Sequence, residues 1–193
     1  MKKTGLFFGS FNPIHIGHLI IANHIVEHTD LDEVWLVVTP HNPHKKKTSL
    51  LNDLQRLSMV RLATESYQKL KACKIEFDLP QPNYTVNTLA VLQEKYPDNQ
   101  FVLLMGEDNL AGLHKWKNYE TILEYYQIYV YPRLTQKKVT SDLINHPAVT
   151  MIKAPIIELS ATQIRQDIKA CKNVRPMLPP EVYQYIEEMR FYK

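Results

Sequence analysis

Short apolar runs alternate along this chain with longer stretches in which apolar residues recur every three or four positions. Leu6-Phe7-Phe8 marks a buried strand over 5–8, and Leu19, Ala22 and Val26 share one face of a helix predicted over 18–28. Val34 to Val38 is a second apolar run, ending at Thr39-Pro40. The chain then turns polar through His41-Asn42-Pro43-His44-Lys45-Lys46-Lys47. Leu54, Leu57, Val60 and Ala63 mark the next helix, and a weaker strand is expected over 75–77. A loop from Pro80 to Asn83 leads into a helix over 85–95. The strongest strand signal covers 101–105 and ends at Gly106; further strands are expected over 128–131 and 149–152. After Pro179-Pro180, the residues Val182, Tyr185, Ile186 and Met189 form the apolar face of a closing helix. Alternation of helices with strands that are apolar throughout predicts an α/β fold, an open parallel sheet with helices on both faces. Neither a repeat nor a Gly/Ser-rich linker interrupts it, so residues 1–193 read as one domain.

Composition narrows the function classes. With 22% charged residues and a net charge of +3, the chain lacks the basic stripe that nucleic-acid binding requires, so no nucleic-acid partner is expected. No apolar run reaches membrane-spanning length, and the N-terminal apolar stretch is too short for a signal peptide, so no membrane association is expected. Cys73 and Cys171 lie far apart without metal-ligand spacing and read as reduced thiols of a cytoplasmic protein. Six of the eight histidines fall between His15 and His44, and three of the five glycines are Gly5, Gly9 and Gly17. Both residue types thus gather where the first two strands give way to loops, and open α/β sheets bind ligands at the carboxyl ends of their strands.

The segment Gly9-Ser10-Phe11-Asn12-Pro13-Ile14-His15-Ile16-Gly17-His18 reads as a strand end, a tight loop and a helix start. Unpaired N–H groups and the helix dipole attract anions there, and Gly17 would let a bulky anion approach the backbone. It is a candidate phosphate site with two imidazoles, His15 and His18, aimed into it. The alternatives are one packing and one surface histidine, or the start of a zinc site that no nearby cysteine or carboxylate cluster completes. His24 and His28 have metal-like i, i+4 spacing, but an exposed helix face explains them more simply. Ser160-Ala161-Thr162-Gln163 has the form of a capping box, hence a second helix start, with the fixed charge of Arg165 one turn in. Lys45, Lys46 and Lys47 are either a solvated run or, beside His44, a phosphate-facing group.

Gly9–His18 resembles the H-x-G-H signature of the nucleotidylyltransferase superfamily, and Ser160-Ala161-Thr162-Gln163-Ile164-Arg165 its second signature, Ser-x-Thr-x-x-Arg. Asn83-Tyr84-Thr85-Val86-Asn87-Thr88-Leu89 resembles the S-Y-T-x-x-T-L element of nicotinate-nucleotide adenylyltransferases. Gly106-Glu107-Asp108 is similar to their G-x-D, and Lys115-Trp116 to their x-W. The resemblance implies a Rossmann-like fold and transfer of the adenylyl group of ATP to nicotinate mononucleotide, with release of pyrophosphate. It implies that His15, His18, Lys45 and Arg165 carry the chemistry. Gly9, Ser10, Phe11, Gly17, Gly106, Asp108, Ser160 and Thr162 would bind ATP, with the segment from about 160 completing that site. His44, Tyr84, Thr85, Trp116, Lys117 and Arg133 would bind the mononucleotide, Trp116 by stacking on its ring. Mg²⁺ is expected to arrive with ATP, since no all-protein carboxylate cage is visible; no metal ligands are assigned, and a homo-oligomer is compatible with the pattern. Rivals are transfer to nicotinamide mononucleotide or phosphopantetheine, and a non-catalytic nucleotide sensor. The chain departs from the family's G-G-T-F-D-P, having Phe8-Gly9-Ser10-Phe11-Asn12-Pro13, and has Leu134-Thr135 where Pro-Gly is usual. The departures place Phe8 beside the binding loop and leave Ser10 able to donate a hydroxyl to phosphate.

Overall fold

The computed structural model describes residues 1–40, 50–133 and 141–193. Among them, six parallel strands form one sheet: β1 Lys2–Gly9, β2 Glu33–Val38, β3 Leu70–Cys73, β4 Asn99–Gly106, β5 Gln127–Tyr131 and β6 Val149–Met151. Their order is β3-β2-β1-β4-β5-β6, so the sheet winds one way from β1 and then the other, leaving a crevice beyond the ends of β1 and β4. Register fixes what reaches that crevice: Gly9 lies beside Val38, Phe7 beside Leu104 and Gly106 beside Tyr131.

Strand side chains alternate between two cores, as the pleat requires. Phe7, Leu36, Val38, Leu104 and Tyr131 pack under α1 (Ile16–His28), α2 (Asp53–Thr64), α6 (Ala161–Lys169) and α7 (Pro180–Glu188). Leu6, Val37, Leu103, Met105 and Val130 pack under α3 (Thr85–Lys95), α4 (Glu107–Ala111) and α5 (Tyr119–Tyr125). Burial on both faces explains why the strands read as unbroken apolar runs.

Three expectations are corrected. The third strand is Leu70–Cys73, which pairs with β2 from Val34 to Val37; residues 75–78 form a 3-10 turn instead. Ile75 is buried as expected, but a short apolar triplet does not distinguish a strand from a helical turn. The first helix starts at Ile16 rather than His18, which makes His15 its N-cap and His18 its third residue. The closing helix ends at Glu188, leaving Met189 about half exposed, while Val182 and Ile186 are buried.

Candidate active site

A cleft of about 670 Å³ lies over the carboxyl ends of β1 and β4. On one side stands the start of α1. The His15 backbone N–H donates to His18 Nδ1 at 3.2 Å, and the two imidazoles stack with centroids 3.7 Å apart. Phe11 meets the His18 ring edge-on at 5.1 Å and Phe7 does so at 6.0 Å, so His18 is held by packing as well as by its hydrogen bond. Phe11 reaches this position through a left-handed backbone, φ 44°, rare for a bulky residue. Its buried ring covers Gly9, where a Cβ would come within 2.8 Å of it. At Gly17 a Cβ would lie 3.0 Å from Ile157 and 3.1 Å from His15 Nδ1. The missing side chain therefore seats the His15 ring, a role the sequence alone did not suggest.

His15 is 5% exposed, and its Nδ1 has no hydrogen-bond partner among the described residues. Burial, with a smaller contribution from the Arg133 guanidinium, lowers its pKa to about 4, so the ring is neutral at neutral pH. It offers one N–H and one lone pair, and a phosphate oxygen entering the cleft would favour the donor.

Two residues fix the loop after β1. The wholly buried Arg56 donates from Nε to Leu51 O at 3.1 Å and from Nη1 to Ser10 O at 2.5 Å and Thr39 O at 2.8 Å. Its Nη2 donates to Pro40 O at 3.2 Å and pairs with Asp53 at 2.6 Å. One guanidinium thereby locks the ends of β1 and β2 together, a task suited to a planar fork of donors. Asn12 Oδ1 accepts from Tyr192 Oη at 2.8 Å and Leu51 N–H at 3.3 Å.

The start of α6 closes the same side. Ser160 Oγ accepts from Gln163 N–H at 3.1 Å, the first half of the predicted capping box. Gln163 does not complete it, because its amide donates to Asp167 at 3.0 Å. Arg165 donates to Asn12 O at 2.8 Å and to Thr162 Oγ1 at 3.4 Å, tying α6 to the loop. Two helix N-termini with one histidine pair and one arginine thus border a single space.

Across the cleft, α3 begins at Thr85 with Tyr84 as N-cap, and the Tyr84 side chain makes no capping bond. Lys117 Nζ lies 4.6 Å from the centre of the Tyr84 ring, and Trp116 borders the same space. At the end of β4, Asp108 and Arg133 pair at 3.1 Å. A Cβ on Gly106 would lie 2.6 Å from both side chains, so glycine is needed there for room.

Every site residue expected from the sequence and described in the structure borders the cleft except Gly106, which underlies it. Phe8 borders it too, as its departure from the family motif implied. His44, Lys45, Leu134 and Thr135 lie outside the described residues. Sequence reasoning missed Arg56, although it shares the i, i+3, i+4, i+7 face of Met59, Val60 and Ala63. It also missed Glu76, an acid within an apolar triplet that is 2% exposed and borders the cleft. His24 and His28 stack on each other and bond to Lys153 O and His24 O, and among the described residues no group of three His, Cys, Asp or Glu could hold a metal. Both cysteines are free thiols.

A family described as cytidylyltransferase-like matches residues 6–167. The chain is 64% identical over 191 residues, 99% of each chain, to a Flavobacterium psychrophilum protein named "Probable nicotinate-nucleotide adenylyltransferase". It is 44% identical to a Bacteroides thetaiotaomicron protein of the same name, over 96% of this chain and 91% of that one. Its fold is similar to a Plasmodium falciparum nicotinic acid mononucleotide adenylyltransferase solved with NaAD, with a TM-score of 0.82 at 20% identity, covering 100% of this chain and 98% of that one.

Proposed function

The chain belongs to the nicotinate-nucleotide adenylyltransferase family, and we propose that it joins ATP and nicotinate mononucleotide into nicotinate adenine dinucleotide and pyrophosphate. One observation carries the reading: the starts of α1 and α6 bring His15, His18 and Arg165 to one side of a cleft whose other side holds Thr85 and Trp116.

A phosphate oxygen of the mononucleotide attacks the α-phosphorus of ATP. The new P–O bond forms as the bond to the β-phosphate bridging oxygen breaks, and pyrophosphate leaves with the electron pair. The attacking oxygen is already ionised near neutral pH, so no general base is needed. What the protein supplies is alignment of two anions and stabilisation of charge at the α-phosphate and the leaving group. His18, fixed by Phe7 and Phe11, donates to the reacting phosphate. The neutral His15 donates to a neighbouring oxygen without requiring a proton from solvent. Arg165, Thr162 and the N-terminus of α6 receive the pyrophosphate, with Ser10 on the facing loop. Mg²⁺ enters as the counter-ion of the triphosphate, as part of the substrate. Asp108 and Arg133, on the β4 and β5 side, serve the ATP ribose and a substrate phosphate respectively. Lys45 and His44 would offset repulsion between the two substrates, a role that rests on the sequence.

Thr85 and the first-turn N–H groups of α3 suit the ring carboxylate, and Trp116 stacks on the pyridinium. The test is pyrophosphate release with ATP and a panel of phosphorylated acceptors. Turnover is expected with nicotinate mononucleotide and far less with its amide counterpart or phosphopantetheine. Turnover with phosphopantetheine alone, or with no acceptor at all, would overturn the reading.

A further inference from the structure

Among the described residues, three buried side-chain polar atoms lack a hydrogen-bond partner: His15 Nδ1, Glu76 Oε2 and Asn83 Oδ1. All three residues border the one cleft. Leaving such an atom unpaired in the interior forfeits its hydration without replacement, so a cluster of them beside a substrate space marks where a ligand completes the bonding. His15 already has a phosphate to meet. Glu76 and Asn83 have nothing assigned to them, and their free atoms are both acceptors suited to a donor from the ligand.

Their place in the fold identifies that donor. The Thr88 hydroxyl donates to Glu76 Oε1 at 2.8 Å, which anchors the carboxyl to α3 one turn beyond Thr85. Asn83 Nδ2 donates to the Glu76 backbone carbonyl at 3.0 Å, which fixes the Asn83 side chain beside that residue. In the other direction the Thr39 hydroxyl approaches the Glu76 carboxyl, and Thr39 N–H bonds Gly9 O at 2.9 Å at the edge of the phosphate loop. The pair therefore sits between the loop that takes phosphate and the helix start that takes the ring. In a mononucleotide the group between phosphate and ring is the ribose, whose two hydroxyls are donors.

We infer that Glu76 and Asn83 form the subsite for the ribose hydroxyls of the mononucleotide, an inference that rests on the acceptor proposed above. Each side chain accepts one hydroxyl, and Thr88 and the Asn83 amide hold the acceptors in place. Burial raises the Glu76 pKa, against the opposing effect of the Thr88 and Thr39 hydroxyls.

The experiment compares kcat/KM for nicotinate mononucleotide with that for its 2′-deoxy and 3′-deoxy analogues, in the parent, Asn83→Ala and Glu76→Leu proteins. In the parent, removing a hydroxyl is expected to cost about tenfold, the scale of one buried hydrogen bond. In each variant the penalty for one of the two analogues should shrink toward onefold, because the partner atom is already gone. A purely structural role would lower all three substrates equally and leave the ratios at the parental value, which would overturn the subsite. Equal rates for all three substrates in the parent would overturn it as well. Absence of parental turnover with the natural mononucleotide would instead overturn the proposed reaction, and the subsite with it. Should Glu76→Leu fail to fold, Asn83→Ala alone decides the matter, since that residue lies in a loop and its side chain makes one hydrogen bond.

Discussion

The two sides of the cleft are built by different means. The side proposed for the triphosphate consists of two helix starts, α1 and α6, each holding its candidate residues within a short segment: His15 to His18, and Ser160 to Arg165. The side proposed for the mononucleotide draws Glu76 from a 3-10 turn, Asn83 and Thr85 from a loop and the helix it starts, and Trp116 from a later turn. A helix start presents its N–H groups and dipole to whatever lies before it, so a short motif is enough to make a phosphate site. Recognition of one particular ring and sugar needs donors and acceptors at separate points on a surface, and a short segment does not supply them. General chemistry is local here, and specificity is assembled.

That contrast can be broken most severely at His18. His18→Ala is expected to lower kcat a hundredfold or more, since one preorganised donor to a reacting phosphate is worth ~3 kcal/mol. The two KM values should change little, and circular dichroism should show an intact fold. Near-parental turnover would remove His18 from the chemistry.

On the other side, nicotinate mononucleotide should be preferred over its nicotinamide counterpart by about a hundredfold in kcat/KM. An amide nitrogen leaves donors around Thr85 unpaired at about 1–3 kcal/mol each. Equal kcat/KM values would show that the α3 start does not read the ring substituent.

Arg165→Ala should weaken ATP by roughly 1.5–3 kcal/mol, the scale of a charge-assisted hydrogen bond, and the mononucleotide by much less. Calorimetric titration separates the two affinities. Equal losses would mean that its bond to Asn12 O, which supports the shared loop, matters more than its contact with the leaving group.

The smallest effect concerns His15. Its folded pKa of about 4 lies below the ordinary value of 6.5, so between these values the unfolded chain binds more protons and stability falls as pH falls. From pH 7.5 to 5.5 the loss from this one group is about 1 kcal/mol, by the linkage of pKa to stability. Urea unfolding at the two pH values, in the parent and in His15→Gln, should show a pH dependence smaller by that amount in the variant. An unchanged dependence would mean that the buried ring is not held neutral.

Legibility followed the same division. The histidine pair, the α6 start and Arg165 were readable because a motif and the surface it makes are the same few residues. Arg56 lies on the apolar face of α2, but the alternation of the pattern gives no reason for a charge there. The four carbonyl oxygens that accept from it belong to Ser10, Thr39, Pro40 and Leu51, which meet only when β1, β2 and α2 are packed. Glu76 was hidden for a second reason. Its apolar neighbours suggested a strand, whereas the pairing of β3 with β2 ends at Cys73 and leaves the following residues to turn toward the cleft.

By itself the sequence determined the layering of this protein, because the period of apolar residues sets which faces must be buried. It carried the expectation of phosphate chemistry as well, because the helix starts, the histidines and the arginine on which that expectation rests lie within two short segments. Only the tertiary structure decided the strand order that places β1 beside β4 and opens the crevice beyond their carboxyl ends. It also decided that Gly17 makes room for an imidazole and that Glu76 borders the cleft. These depend on contacts between residues far apart in the chain, and a local pattern carries no record of which distant groups will share a space once the sheet has formed.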